Sequence, residues 1–183
     1  RMFETGLRFV PSDQGLQQIP TLTMVATGQR FAESWAVAKE AGDFYDLKGD
    51  LESVLALTRA PEQFEFTAAE RHALHPGQTA GITQNGKQVG FMGAVHPTVL
   101  STLGLTSTLY VAEIDLKTLL NSELPQFSEI SKFPEVRRDL AVIVDREIEA
   151  GALQSAVRAA AGDDLTNLRL FDIYEGKGID TKR

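Results

Sequence analysis

Along residues 2–10 (MFETGLRFV), Phe3, Thr5, Leu7 and Phe9 fall on one side of a period-two alternation, the repeat of a β-strand. A second strand is expected over 20–28 (PTLTMVATG), which is rich in Thr and Val. The repeat then changes. In 43–59 (DFYDLKGDLESVLALTR) Leu47, Leu51, Val54 and Leu55 are spaced i, i+4, i+7, i+8, one apolar stripe of a helix with Asp43 as its N-cap. Gly49 inside that helix costs roughly 1 kcal/mol relative to Ala, and close backbone packing is the expected reason for it. A short strand follows at 64–70. Residues 79–95 (TAGITQNGKQVGFMGAV) place two alternating runs around Asn85–Gly86, a pair suited to the positive φ angles of a type I′ hairpin turn. Residues 97–104 read as a short helix with Pro97 in its first turn and Gly104 as its stop. Residues 109–116 read as a strand leading into a brief helix, KTLLNS.

ELPQFSEISKFPE (123–135) carries two prolines and reads as a linker. A new unit is expected after it, with a strand at 138–145 (RDLAVIVD), a helix at 152–162 and a strand at 168–176 (LRLFDIYEG). This places the domain boundary near residue 127. No internal repeat or low-complexity tract appears.

Composition narrows the class. The chain has 183 residues, is 43% hydrophobic and 23% charged, and fits a globular protein with a core. No apolar run reaches the roughly 18 residues of a membrane span, and the opening residues do not read as a signal peptide. There is no cysteine, so disulfides and thiolate metal sites are excluded, and a cytoplasmic address is expected. The net charge is −7. Residues 1–127 hold 9 Lys and Arg against 14 Asp and Glu, net −5, and residues 128–183 hold 9 against 11, net −2. Neither half has the basic excess of a strong nucleic-acid binder, so contact with nucleic acid requires a local patch or a second chain.

His72, His75 and His96 are the only histidines, and two of them precede prolines, so they read as starts of turns rather than as a zinc set. Asp43, Asp46, Asp50 and Glu52 form an acidic cluster that reads either as a Mg²⁺ site or as a solvated helix face. Glycines 77, 81, 86, 90 and 93 match no phosphate-loop pattern and suit bulges and tight packing in a hairpin. Trp35, in the helix-like FAESWAVAKEA, reads as an anchor to the core. No catalytic set and no metal set emerges. Arg137 and Arg138 are the best candidates for phosphate contact, with Tyr174, Lys177 and Lys182 extending the patch; Glu135 and Asp139 dilute it, and charged residues on a strand edge are the equal alternative.

FETGLRF, DFYDLKGDLESVL, HPGQTAGI, GFMGAVHP, KFPEVRRDLAVIVD and LFDIYEGKGI occur in that order. Together they resemble the C-terminal part of the bacterial phenylalanine–tRNA ligase β subunit, across essentially the whole chain. The resemblance implies an α+β fold. Residues 1–127 would form a non-catalytic, class II synthetase-like antiparallel sheet with flanking helices. Residues 128–183 would form the first half of a ferredoxin-fold anticodon-binding domain, a truncated β-α-β unit. It implies a fragment with no cofactor of its own, inside an (αβ)2 tetramer whose α subunit performs adenylation with ATP and Mg²⁺, and it implies tRNA(Phe) as a partner. An active class II core carries an arginine that clamps ATP phosphate after a glycine-rich strand; GFMGAVHPTVL has neither Arg nor Lys. A free-standing class II-like enzyme and a small-molecule binding module on a degenerate synthetase fold are the alternatives.

Overall fold

The computed structural model describes residues 1–121, 124, 127, 129 and 132–174. The chain divides into two compact units, Arg1–Gln126 and Phe127–Arg183.

The first unit is built on one six-stranded sheet. Its strands are β1 (Met2–Ser12), β2 (Gly15–Thr27), β3 (Phe64–Ala68), β4 (Leu74–Gln84), β5 (Lys87–Val95) and β6 (Leu109–Asp115), in spatial order β1-β2-β6-β5-β4-β3. Every neighbouring pair is antiparallel. Asn85 and Gly86 have φ of 50° and 77°, so the β4–β5 connection is the expected type I′ turn. β1 and β2 also form a hairpin, and both run longer than the sequence pattern indicated.

Helix α1 (Phe44–Leu55) seats on one face of this sheet. Asp43 caps it and closes a reciprocal capping box with Asp46. Leu47, Leu51 and Leu55 are at most 2% exposed and pack with Ile82, Met92 and Ile114, which are equally buried. Each leucine burial of this kind contributes about 1.5–3 kcal/mol. On the opposite face, α2 (Pro97–Thr102) closes a smaller cluster of Leu74, Val95 and Leu100. The brief α3 (Leu116–Leu120) follows β6 directly.

Gly90 and Gly93 are required where they stand. A Cβ on Gly90 would run into the Glu113 carbonyl oxygen and lie 3.0 Å from the Ile114 Cα; one on Gly93 would lie 2.7 Å from the Gln78 carbonyl oxygen. Gly49 differs from expectation, because nothing lies within 4 Å of a Cβ built there.

Three further expectations need correction. FAESWAVAKEA is not helical, and Trp35 is fully exposed. Its segment is a loop pinched at its base by a Gln29–Ala41 bridge, so an apolar residue in a helix-like pattern serves as a loop tip instead of a core anchor. His75 lies inside β4, at an irregular stretch between Leu74 and Thr79, and does not start a turn. In the second unit, α4 (Ala150–Ala161) takes the place of the helix expected at 152–162. The strands expected beside it at 138–145 and 168–176 are not formed among the described residues, because 138–145 and 168–174 pair with no ladder. The physical reason is partnership: strand composition by itself supplies no ladder partner, and neither segment has one among the described residues. No helix among the described residues is long and apolar enough to cross a membrane.

Candidate nucleic-acid interface

Arg137 and Arg138 lie in the extended stretch that precedes α4, and both are exposed. Their contacts are local. Arg137 donates to the Glu135 carboxylate at 3.3 Å with its side chain 85% exposed, and Arg138 donates to the Arg137 carbonyl at 3.2 Å. An ion pair this exposed and loosely held is worth at most about 1 kcal/mol, so both guanidiniums remain available to a phosphate. Tyr174 is exposed at the end of the described segment. Lys177 and Lys182 lie outside the described residues. Arg158, in the last turn of α4, and Arg169 are further cations of this unit that sequence reasoning passed over. The signal for Arg158 was its place near a helix end followed by Gly162, which caps the helix.

In the first unit the acidic cluster lies on a partly exposed helix face, and its carboxylates are ion-paired. Arg30 donates to Asp43 (2.9 Å), Asp46 (3.1 Å) and Glu40 (3.2 Å), Arg1 donates to Asp50 (2.6 Å), and Lys48 pairs with Glu52. Burial alone would raise the Asp46 carboxyl, but the Asp43 N–H and the Arg30 guanidinium outweigh it and hold Asp46 below the ordinary carboxylate range. Among the described residues no group of three or more His, Asp or Glu is placed to hold a metal ion.

The sheet face opposite α1 carries a cleft of about 490 Å³ between β1, β2 and β6, with Glu4, Arg8, Thr21, Thr23 and Glu113 on its walls. Sequence reasoning had no site here. The alternation of each strand was legible, but the β2–β6 pairing that sets Thr23 beside Glu113 was not. Arg8 donates to Glu113 at 2.5 Å. On the same face Arg71 lies 3.9 Å from the Phe91 ring centroid. GFMGAVHPTVL forms β5 and α2, and His96 caps α2 by accepting the Thr98 N–H on Nδ1 at 3.2 Å. Nucleotide phosphate needs a fixed, unspent cation. On this face one arginine is neutralised by Glu113 and the other is stacked on an aromatic ring, so the residues present do not fit ATP.

The sequence model described as the phenylalanyl tRNA synthetase beta chain CLM domain matches residues 1–116. This chain belongs to the phenylalanyl-tRNA synthetase beta-chain family. The model of the ferredoxin-fold anticodon binding domain matches residues 131–183. Curated relatives agree. The phenylalanine–tRNA ligase beta subunit of Pseudomonas savastanoi pv. phaseolicola is 50% identical over 183 residues, covering 100% of this chain and 23% of its own. That of Haemophilus influenzae is 46% identical over 182 residues, covering 98% and 23%. The chain therefore spans about a quarter of the length of these family members. Among solved structures, a pyrrolysyl tRNA synthetase from Desulfitobacterium hafniense superposes with a TM-score of 0.43 at 14% identity, over 64% of this chain and 39% of its own, too loosely to support a conclusion.

Proposed function

We propose that this chain is a structural and tRNA-binding part of the β subunit of phenylalanine–tRNA ligase, and that it does not itself form aminoacyl-adenylate. Residues 1–127 act as a class II synthetase-like core without catalysis. Residues 128–183 act as the opening half of a ferredoxin-fold anticodon-binding domain, with Arg137 and Arg138 as phosphate contacts and Tyr174, Lys177 and Lys182 extending them. In the assembled enzyme, an (αβ)2 tetramer in the cytoplasm, the α subunit performs adenylation with ATP and Mg²⁺ and the product is phenylalanyl-tRNA(Phe).

The observation that carries this reading is the order of the two family matches along one chain, a synthetase β-chain module followed by an anticodon-binding module. The chemistry of the sheet face supports the non-catalytic half. Glu113 holds Arg8, and the stretch from the glycine-rich end of β5 into α2, GFMGAVHPTVL, contains no Arg or Lys. The test is phenylalanine-dependent pyrophosphate exchange by the purified chain, freed of host synthetase, with an ATP titration beside it. No exchange and no ATP binding are expected. Exchange above background would establish the free-standing enzyme reading instead.

A further inference from the structure

β4 and β5 join at Asn85–Gly86, the sole Asn-Gly pair in the sequence, and both residues are exposed. The chain's other asparagines, Asn121 and Asn167, precede residues that carry a side chain, which hinders attack at the following nitrogen. Gly86 has no Cβ to do so. Its N–H is also uncommitted: the Gln84–Lys87 pair closes the ladder outside it, and among the described residues it donates to no carbonyl.

The two sides of this turn are held unequally. On the β4 side the Asn85 N–H donates to the Gln63 carbonyl at 3.2 Å, Asn85 Nδ2 donates to Gln63 Oε1 at 3.4 Å, and Gln84 stands opposite Phe64 of β3. The β5 side is looser. Ile82 faces Gly90 but Thr83 faces Gln88, so Val89 is the extra residue of a bulge. Beyond that bulge only the Thr83–Gln88 and Gln84–Lys87 pairs hold the tip, and Gly86, Lys87 and Gln88 are exposed. Rotation about the Asn85 Cα–C bond therefore swings Gly86 while Asn85 stays on Gln63, and it opens two pairs without parting the rest of the sheet.

We propose that Asn85 is a self-modification site, which converts in the folded chain to isoaspartate through a cyclic imide. The Gly86 N–H gives its proton to a solvent base, the nitrogen bonds to Asn85 Cγ, and the Cγ–Nδ2 bond breaks to release ammonia. Water then opens the imide. Hydrolysis at the main-chain carbonyl of residue 85 leaves the chain running through Cγ, which is isoaspartate; hydrolysis at Cγ leaves aspartate. Isoaspartate lengthens the two-residue turn by one backbone carbon. Either product adds a negative charge to a chain of net −7 and removes the Nδ2 donor that Gln63 Oε1 accepts. Every group the reaction uses lies within residues 63–88, far from either end of the sequence. The site goes beyond the proposed function, which asks for no chemistry in this hairpin.

The test is to age the 183-residue chain at several pH values, native and unfolded in guanidinium, and to follow each asparagine by peptide mapping. An isoaspartyl carboxyl methyltransferase serves as the reagent that detects isoaspartate. Asn85 should be the first asparagine lost, with isoaspartate among its products. The native rate should lie within about tenfold of the unfolded one, because the tip opens without the sheet. It should rise with pH, since the Gly86 nitrogen must lose its proton. Asn85→Gln, whose ring would need one more atom, should abolish the product. A native Asn85 that reacts more than about tenfold slower than the unfolded one, aspartate formed without isoaspartate, or earlier loss of Asn121 or Asn167 would each overturn the proposal.

Discussion

Replacing glycine by alanine should change the stability of this chain in opposite directions at two positions. Gly49 lies inside α1, and nothing lies within 4 Å of an added Cβ. Gly49→Ala therefore gains helix propensity and loses unfolded-state freedom without a clash, a stabilisation of about 0.5–1 kcal/mol. Gly90 lies in β5 with ordinary negative φ, so backbone strain does not enter. Its Cβ would meet the Glu113 carbonyl oxygen, the Ile114 Cα at 3.0 Å and the Ile114 Cβ at 3.2 Å. Two of these are backbone atoms of β6, the neighbouring strand, and they move only if the two strands separate. Overpacking of this kind costs about 1–3 kcal/mol or more, and the entropy gained from alanine offsets well under half of the upper figure. We expect Gly90→Ala to lose about 2 kcal/mol and Gly49→Ala to gain about 0.7 kcal/mol, shifts of roughly 8 °C down and 3 °C up. Thermal melts followed by circular dichroism, with urea melts to compare slopes, measure both. A Gly90→Ala chain that melts with the parent, or a Gly49→Ala chain that melts below it, would refute the packing described for this sheet.

Leu51→Ala empties the centre of the contact between α1 and the sheet, where Leu51 is 0% exposed, and should cost about 2–5 kcal/mol in the same melts. Trp35→Ala should leave the melting point within experimental scatter, and the fluorescence of this sole tryptophan should already be that of a solvated indole in the native chain. Asp46 titrates below the ordinary carboxylate range when folded, so its contribution is fully present above the unfolded value near about pH 4 and is lost as pH falls through the folded value. Asp46→Asn should accordingly flatten the acid limb of stability against pH and leave its slope near neutrality unchanged.

The parts of the fold that were legible from sequence are those fixed by neighbours along the chain. The α1 stripe, its Asp43 cap and the Asn85–Gly86 turn each depend on residues a few positions apart. Non-local partnership was not legible. FAESWAVAKEA has a helix-like apolar spacing, yet Arg30, Glu40 and Asp43 pin the ends of that segment together and hold it as a loop with Trp35 at the surface. The acidic cluster looked free because its cations, Arg1 and Arg30, come from far along the chain. Residues 138–145 and 168–174 have strand composition, but composition supplies no ladder partner. In the candidate interface the Arg137–Arg138 pair was visible as a local charge doublet. The Glu113 that silences Arg8 was not, because the two residues stand 105 positions apart.

The central claim, that this chain contacts tRNA through a small cationic patch, is tested most directly by titrating labelled tRNA(Phe) with the parent and with Arg137→Ala/Arg138→Ala at several salt concentrations. A patch of so few cations on a chain of net charge −7 predicts weak binding that falls with salt at about −0.9 in log K per phosphate contact. The double variant should bind more weakly and with a slope shallower by about two. Identical binding by the two proteins, or a parent that shows no association even at low salt, would contradict the account.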